Sequence, residues 1–377
     1  MVCMDTQHFF EEDWAYLLSY LPPRIELERS AGSWGAIRRV REISSGSDLL
    51  RLMMAYGFCG MSLRRTAAWA GDIGVANISD VSLLERFRKG ADWLGHILAT
   101  KLADHAALIP ESTPGLKARL IDASTVTRVG GKGVDWRLHL TLSLASLKVD
   151  AIELTDVSGG ERLSRFKFQP GEIAVGDAGY SHRAGLESVV DQGAEFLVRL
   201  NWSNLPLLTP EGDPIDLIAY CRRVVGTEPA EFLVRVRGSK MRAVRLLIVR
   251  KTAAAAAESR RRKEKERSKK GMVDLRTLEA SEYVMLLTSA STEQLTTEQA
   301  FELYRFRWQI ELTFKRLKSL LHFDHLPAKD TALAQVILFA KLLGALLIDD
   351  YTERYVSFSP WGYFIRSEPS SLVLANH

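Results

Sequence analysis

Ala118-Arg-Leu-Ile-Asp-Ala123 is a short apolar run that stops on an aspartate, and Glu172-Ile-Ala-Val-Gly-Asp177 has the same form. Runs of this length, bounded by small and turn-forming residues, read as buried strands. Between them Trp136-Arg-Leu-His-Leu-Thr-Leu-Ser-Leu144 is apolar at every second position, the period of a strand. A glycine turn at Gly130, Gly131 and Gly133 leads into it, and Ala151-Ile-Glu-Leu-Thr-Asp156 follows as a third strand. Beyond Asp177 the period changes. Ser181 to Gln192 reads as a helix and Glu195-Phe-Leu-Val-Arg-Leu200 as a strand. Three strands in succession, then strand, helix and strand in alternation, predict an α/β domain.

Outward from this core, residues 1–112 read as an all-α N-terminal domain. Trp14, Leu17, Leu18 and Leu21 recur at helical spacing, as do Leu49, Leu50, Met53 and Met54. Pro22-Pro23 closes the first of these helices. Ser62-Leu-Arg-Arg-Thr-Ala-Ala-Trp-Ala70 predicts a short helix, Gly71 and Gly74 a turn, and Ser79-Asp80 a cap for a third helix through Val81, Leu84 and Phe87. Helix, turn and helix carrying Arg64, Arg65, Arg86, Arg88 and Lys89 suits docking on DNA. A plain bundle with solvated arginines fits the same residues.

Pro110 and Pro114-Gly115 mark a boundary, and the first part of the sheet domain takes 113–200. Residues 201–288 interrupt it with a mostly β insertion, signalled by Phe232-Leu-Val-Arg-Val-Arg237 and Ala243-Val-Arg-Leu-Leu-Ile-Val249. The insertion ends in the densest positive run of the chain, headed by Arg260, Arg261, Arg262 and Lys263. Such a run neutralises phosphates well. It is also what a solvated helix face looks like, and Glu264 and Glu266 favour that reading. The sheet domain resumes over 289–355, and 356–377 is a tail.

Composition narrows the class. The chain has 377 residues, 46% of them hydrophobic, so it is an ordinary globular chain. Its 50 Lys and Arg against 46 Asp and Glu leave a formal charge of +4, too small to identify a partner. Cys3, Cys59 and Cys221 are odd in number and lack metal-ligand spacing, which suits a reducing cytoplasm. Asp5, Glu11, Glu12 and Asp13 stand where a signal peptide would carry basic residues. The most apolar stretch, Leu333 to Ile348, is broken by Gln335 and Lys341 and reads as a core helix too short to span a bilayer. No P-loop, dinucleotide fingerprint or serine nucleophile elbow occurs in the sequence.

Tyr304-Arg-Phe-Arg-Trp-Gln-Ile-Glu-Leu-Thr-Phe-Lys-Arg-Leu-Lys-Ser-Leu-Leu321 carries the chemistry. It predicts one long helix, with Leu303, Phe306, Ile310, Phe314, Leu317 and Leu321 on an apolar stripe. At roughly 100° per residue, Tyr304, Arg307, Glu311 and Lys318 share a narrow ridge beside that stripe. Arg307 and Glu311 also form an ordinary i,i+4 surface pair. The aspartates break the tie. Asp122 and Asp177, each at the end of an apolar strand, would join Glu311 in a three-acid cluster. Such charges repel unless a cation neutralises them. Hard oxygen ligands suit Mg²⁺. Two such ions ~3.5–4 Å apart serve in-line phosphodiester hydrolysis or strand transfer.

Tyr304-x2-Arg307-x3-Glu311-x6-Lys318 resembles the signature of the insertion-sequence-four family of bacterial DDE transposases. Ile121-Asp122-Ala-Ser-Thr125 and Gly176-Asp177-Ala-Gly-Tyr180 are similar to its two aspartate motifs. Leu21-Pro22, Gly35-Ala-Ile-Arg-Arg39, Asp48-Leu-Leu-Arg-Leu52 and Ser62-Leu-Arg64 extend the likeness over nearly the whole chain. The resemblance implies a ribonuclease-H-like catalytic domain with a mostly β insertion before the third acid, which agrees with the strand order above. It implies Asp122, Asp177 and Glu311 as the metal-binding triad, with Mg²⁺ as cofactor and Mn²⁺ as its substitute. Tyr304, Arg307 and Lys318 would then touch phosphates near the transposon end. Trp202 and Trp308 would stack on an unpaired base at a hairpinned end; for Trp202 a buried core position is the other reading.

The partners implied are double-stranded DNA, as terminal inverted repeats and as target, and a second copy of the chain on that DNA. No membrane is implied, and the place is the bacterial cytoplasm at the nucleoid. Members of the family usually run further past Ser359-Pro-Trp-Gly362, so a shortened C-terminus is expected. An inactive copy that occupies ends or pairs with other copies is the alternative function.

Overall fold

The computed structural model describes residues 6–107, 116–130, 133–145, 148–226, 228–270, 274–322 and 325–356. The expected boundary at Pro110 and Pro114-Gly115, Gly131 of the glycine turn, Cys3, and all but the first residue of the 356–377 tail lie outside them. In chain order come α1 (Thr6–Leu18), α2 (Leu27–Ser33), α3 (Gly46–Gly57), α4 (Leu63–Asp72) and α5 (Asp80–Ala107). Next are β1 (Lys117–Arg128), β2 (Trp136–Ser143), β3 (Val149–Asp156), β4 (Glu172–Gly176), α6 (Arg183–Asp191) and β5 (Glu195–Arg199). Then follow β6 (Leu207–Leu208), α7 (Leu217–Arg222), β7 (Ala230–Val236), β8 (Val244–Arg250), α8 (Ala253–Lys270), α9 (Leu275–Ala280) and β9 (Tyr283–Thr288). The last are α10 (Thr297–Arg305), α11 (Trp308–Leu321), β10 (His325–Leu326) and α12 (Thr331–Val356).

The chain forms two compact units, Met1–Lys101 with Asp330–His377, and Leu102–Lys329. The first is helical. Ser45 caps α3 by accepting from Asp48 N at 2.9 Å, and Ser62 caps α4 by accepting from Arg65 N at 3.2 Å. Each side chain satisfies an amide that has no partner within its helix. The buried core takes Leu49, Leu52 and Met53 from α3, Trp93, Leu94 and Ile97 from α5, and Ile337, Leu338 and Leu343 from α12. Burying each such side chain is worth about 1.5–3 kcal/mol. Contact between α3 and α12 is close because Gly57 has no side chain: a Cβ there would lie 2.5 Å from Ala340 Cβ. Lys101 bonds Asp350, and its Nζ also donates to the Tyr20 carbonyl at 2.6 Å.

The sequence reading kept 289–355 with the sheet; α12 instead packs on α3 within the helical unit. Its section Thr331–Tyr351 is longer than the Leu333–Ile348 stretch and is long and apolar enough to cross a membrane. However, 61% of that section is buried within the protein, as in a core helix.

The second unit is built on one mixed sheet with the order β3-β2-β1-β4-β5-β9-β8-β7-β6, and β10 pairs with β1. β1, β2 and β3 form an antiparallel meander, while β4 and β5 run parallel to β1. The strands of the interrupting segment join the same sheet. β9 pairs antiparallel with β5 at Leu197↔Thr288, and β8 and β7 add beyond it. The unpaired edge of β5 supplies the hydrogen bonds that β9 needs, so the insertion widens the sheet. Its basic run is helical, forming the C-terminal half of α8. Side chains alternate along a strand. Ile121, Ala174 and Phe196 thus meet Leu186 and Val189 of α6 and Leu217 and Ile218 of α7 in one core.

Candidate active site

Asp122 and Asp177 owe their positions to strand register. β1 and β4 pair in parallel as far as Leu120↔Val175. Each aspartate lies two residues beyond that pair, so the two are level on neighbouring strands and share the face of Leu120 and Val175. Asp177 does follow the end of its strand: its Oδ1 accepts from Gly179 N at 2.8 Å and caps a short 3-10 turn. Asp122 does not. β1 continues to Arg128 because β2 keeps pairing with it, through Asp122↔Leu140 to Val126↔Trp136. Asp122 therefore sits in mid-strand, at the fork where β4 leaves β1. Its Oδ1 accepts from Ala123 N at 2.8 Å.

Burial pushes the Asp122 carboxyl up to about 6, with the charges of Asp177 and Glu311 adding to the rise. The Ala123 amide and the Arg307 guanidinium oppose it. A carboxylate so placed gains from a neighbouring cation.

The expected single helix is two. α10 ends at Arg305, and Phe306 N and Arg307 N bond back only three residues, to Leu303 and Tyr304 carbonyls. α11 starts anew at Trp308 with Arg307 as its cap residue. The angular arithmetic therefore holds within α11 and not across the break. Ile310 and Phe314 are buried as predicted, but Phe306 leaves the apolar stripe and is 47% exposed. The break leaves Arg307 facing back along α10, its guanidinium 5.7 Å from the Tyr304 ring centre. Tyr304 is half-buried, and burial raises its phenol.

Glu311 departs from the expected cluster. Its side chain is 51% exposed and accepts from Arg307 Nη2 at 2.6 Å. The i,i+4 pair holds the carboxylate along its own helix, and among the described residues no three acids, histidines or cysteines are grouped to hold a metal ion. The structure thus brings together Asp122 and Asp177, with Arg307 and Glu311 near enough to act on Asp122 electrostatically. Lys318 lies half-buried two turns along α11 from Glu311.

Two neighbours of the acids were given no role from the sequence, Glu161 and the Tyr180 of the second aspartate motif. Glu161 is half-buried, and its Oε2 lies 1.8 Å from where a Cβ on Gly179 would stand, beside Asp177. Burial and Asp177 both raise its carboxyl. Tyr180 is fully buried, its hydroxyl has no partner among the described residues, and burial, Asp122, Glu161 and Asp177 all disfavour its ionised form. Only Gly159-Gly160, a flexible step before an acid, could have pointed to Glu161.

Cations and aromatics line clefts in the same unit. Trp202 shares a cleft of about 480 Å³ with Ala178, Arg199, Lys251, Arg262 and Lys263. Trp202 is part-buried, packed against the core on one side and lining open space on the other. A second cleft of about 530 Å³ has Arg199, Lys251, Tyr304, Arg305, Arg307 and Trp308 in its wall. Lys251 is held below the usual ammonium range by burial, then by Arg199 and Arg262. Arg260 and Arg261 are instead bonded to Glu282 and Glu258. Arg64 and Arg65 are exposed on α4 of the helical unit, Arg64 3.9 Å from Asp80.

Residues 115–347 match the family described as transposase DDE domain. The chain is 39% identical over 362 residues to the transposase of insertion sequence element IS421 of Escherichia coli, covering 94% of this chain and 97% of that one. The transposase assigned to IS186A of Escherichia coli strain K12 matches at 39% over 361 residues, with the same two coverages. The transposase of IS231F of Bacillus thuringiensis subsp. israelensis is 26% identical over 196 residues, 48% of this chain and 41% of that one. A solved piggyBac transposase synaptic complex with hairpin DNA gives a TM-score of 0.44 at 10% identity, over 91% of this chain and 73% of that one. That likeness is too distant to weigh, and the assignment rests on the sequence relatives. They define a polynucleotidyl transferase of the DDE type. The chain belongs to the DDE transposase family, in its insertion-sequence-four group. Enzymes of this family use divalent metal ions. The IS186A and IS421 relatives are matched over 97% of their length, so the extra length expected of the family is not seen against them.

Proposed function

We propose that this transposase moves its element by cut and paste, hydrolysing and rejoining phosphodiesters at Asp122, Asp177 and Glu311. The observation that carries the reading is the level placement of Asp122 and Asp177 at the β1–β4 fork. Their oxygens fit a shared cation, and the Asp122 carboxyl, raised chiefly by burial, would be eased by one. Glu311 joins them only by leaving Arg307, a side-chain rotation within one helical turn. Bound there, Mg²⁺, or Mn²⁺ in its place, supplies Lewis-acid activation of the attacking and leaving oxygens.

The chain's own side chains do the rest. Arg307 is the natural exchange partner, since a DNA phosphate would replace Glu311 on its guanidinium and free that carboxylate. Tyr304 orients Arg307, whose guanidinium lies over its ring. Lys318 meets a further phosphate along the same strand. Trp202 and Trp308, each in a cation-lined cleft, stack on bases drawn out at the transposon end. Arg262 and Lys263 hold the adjoining backbone. In cleavage water attacks phosphorus and the 3′ oxygen leaves. In strand transfer that 3′ hydroxyl attacks a target phosphate in the same way.

The strand order β3-β2-β1-β4-β5, antiparallel in its first three and parallel after, supports a ribonuclease-H-like catalytic core. The substrates proposed are terminal inverted repeats and target DNA, bound by a dimer in the bacterial cytoplasm.

The test is magnesium-dependent nicking of a duplex bearing the element's inverted repeat. Asp122→Ala, Asp177→Ala and Glu311→Ala should each abolish nicking and leave binding intact. Full cleavage by any one purified variant would remove the mechanism.

A further inference from the structure

Glu161 has no part in the catalytic reading, yet the fold delivers it to the carboxylates. It follows Gly159 and Gly160 in the connection between β3 and β4. Gly159 lets that connection fold back on β3, since a Cβ there would lie 2.1 Å from Thr155 Oγ1. Arg137 Nη1 donates to the Gly159 carbonyl at 3.2 Å, and Arg165 Nε to the Gly160 carbonyl at 2.8 Å. Two residues further on, Leu163 is fully buried in one core with Leu186 and Val189 of α6. The backbone is thus tied down on both sides of Glu161.

The carboxylates meet at Gly179. A Cβ on that residue would stand 1.8 Å from Glu161 Oε2 and 3.0 Å from Asp177 Oδ1, so the two oxygens are neighbours across the space a side chain would fill. Arg137 and His182 act on Glu161 through their charge, and among the described residues no hydrogen bond or ion pair holds its carboxylate. Tyr180 gives an independent sign. Its buried, unpartnered hydroxyl stands within range of the charges of Asp122, Glu161 and Asp177. A buried hydroxyl without a partner is costly; placed among acids, it offers a donor to any oxygen drawn into the same space.

The chemistry selects a ligand. Carboxylates side by side repel unless a cation or a proton lies between them. Mg²⁺ is held by one or two carboxylates, with waters and substrate phosphates in its other positions. A pair of acids therefore suffices, although no three are grouped among the described residues. Glu311 is exposed and bonded to Arg307, whereas Glu161 is already beside Asp177.

We propose that Glu161 is a further metal ligand, which together with Asp177 holds a divalent cation in the DNA-free chain, before Glu311 leaves Arg307. The inference rests on the chain being a metal-dependent DDE transposase. It makes the resting site a pair of carboxylates to which Glu311 is a later addition.

The experiment uses the full chain without DNA and reads bound Mn²⁺ by electron paramagnetic resonance. Glu161→Gln should weaken binding at least about tenfold, since changing even the partners of metal ligands costs that much. Gly179→Ala keeps every carboxylate but puts a methyl where the Glu161 carboxylate lies, so it should weaken binding likewise. Glu311→Gln should bind Mn²⁺ as the wild type does and fail to nick DNA. Thermal melting in EDTA checks the fold: Glu161→Gln should melt no lower than the wild type, having lost one of two neighbouring charges. If it is unfolded, Gly179→Ala carries the test. Undiminished Mn²⁺ binding by the folded Glu161→Gln or Gly179→Ala chain, loss of binding in Glu311→Gln, or a wild type that takes up no Mn²⁺ without DNA overturns the proposal. Nicking separates the two readings. Undiminished Mn²⁺ binding by Glu161→Gln, with nicking abolished in Asp122→Ala and Asp177→Ala, sinks the Glu161 site alone; full nicking by either aspartate variant sinks the catalytic reading.

Discussion

Replacing Asp122 by asparagine should stabilise the metal-free protein, and the gain should depend on pH. Burial pushes the carboxyl up to about 6 in the folded chain, from the 3.8 of an exposed aspartate. A carboxyl raised in this way favours the protonated form. Its favourable contribution is complete below 3.8 and disappears as pH rises through about 6. The gap between the two values corresponds to about 3 kcal/mol at pH 8 and about 1 kcal/mol at pH 4.5. Asparagine keeps an oxygen for the Ala123 amide and carries no charge. For a unit of this size, about 3 kcal/mol raises the melting point by roughly 6–12 °C. The assay is thermal and urea unfolding of both proteins with EDTA at the two pH values. A variant no more stable than the wild type at pH 8 would refute the view that Asp122 sits ionised at a cost. So would a gain that fails to shrink at pH 4.5.

Other expectations follow from single contacts. Arg119 is buried and donates from Nε to the buried Asp150 at 2.9 Å, so Arg119→Met should cost about 3–5 kcal/mol by leaving that carboxylate without its cation, bonded to the Thr141 hydroxyl; adding Asp150→Leu should recover much of it in chemical denaturation. Gly57→Ala drives a methyl against Ala340 and the α12 backbone, with Ile337 Cα 3.1 Å from the new Cβ, and should cost about 1–3 kcal/mol. His139 is lowered to about 4 by burial, then by Arg165 and Arg137. A depressed histidine contributes stability that is present above pH 6.5 and lost as pH falls towards 4. His139→Gln should flatten that part of the stability–pH curve, and an unchanged curve would exclude the residue as its source.

How far the sequence could be read depended on the range of the interaction. Local patterns read directly: the alternation of Trp136–Leu144 became β2, the Ser62 and Ser79 caps stood where helices began, and Ser181–Gln192 contained α6. Pairing between distant segments was not legible. Nothing local announces that β9 adds to the edge of β5, or that α12 returns to α3, since both depend on which unsatisfied edge or apolar face is free in the fold. The same limit applies at the site. Apolar runs ending in acids located Asp122 and Asp177, but strand register made them level, and the β2 partner carried β1 past Asp122. The break at Phe306–Arg307 was hidden because no glycine or proline marks it. The i,i+4 pair of Arg307 with Glu311 was legible, but the start of a second helix at Arg307 was not.

The return of α12 to the helical unit affects how the chain is made. A ribosome delivers α3 and α5 early, yet the neighbours of Gly57, Ile337 and Ala340, emerge only after the entire sheet unit has been synthesised. Until then the apolar side of α3 is bare and open to chaperones or to wrong contacts. Any product truncated before Thr331 would lack part of the interior of its first-made half, so premature release should yield insoluble fragments in place of small DNA-binding pieces.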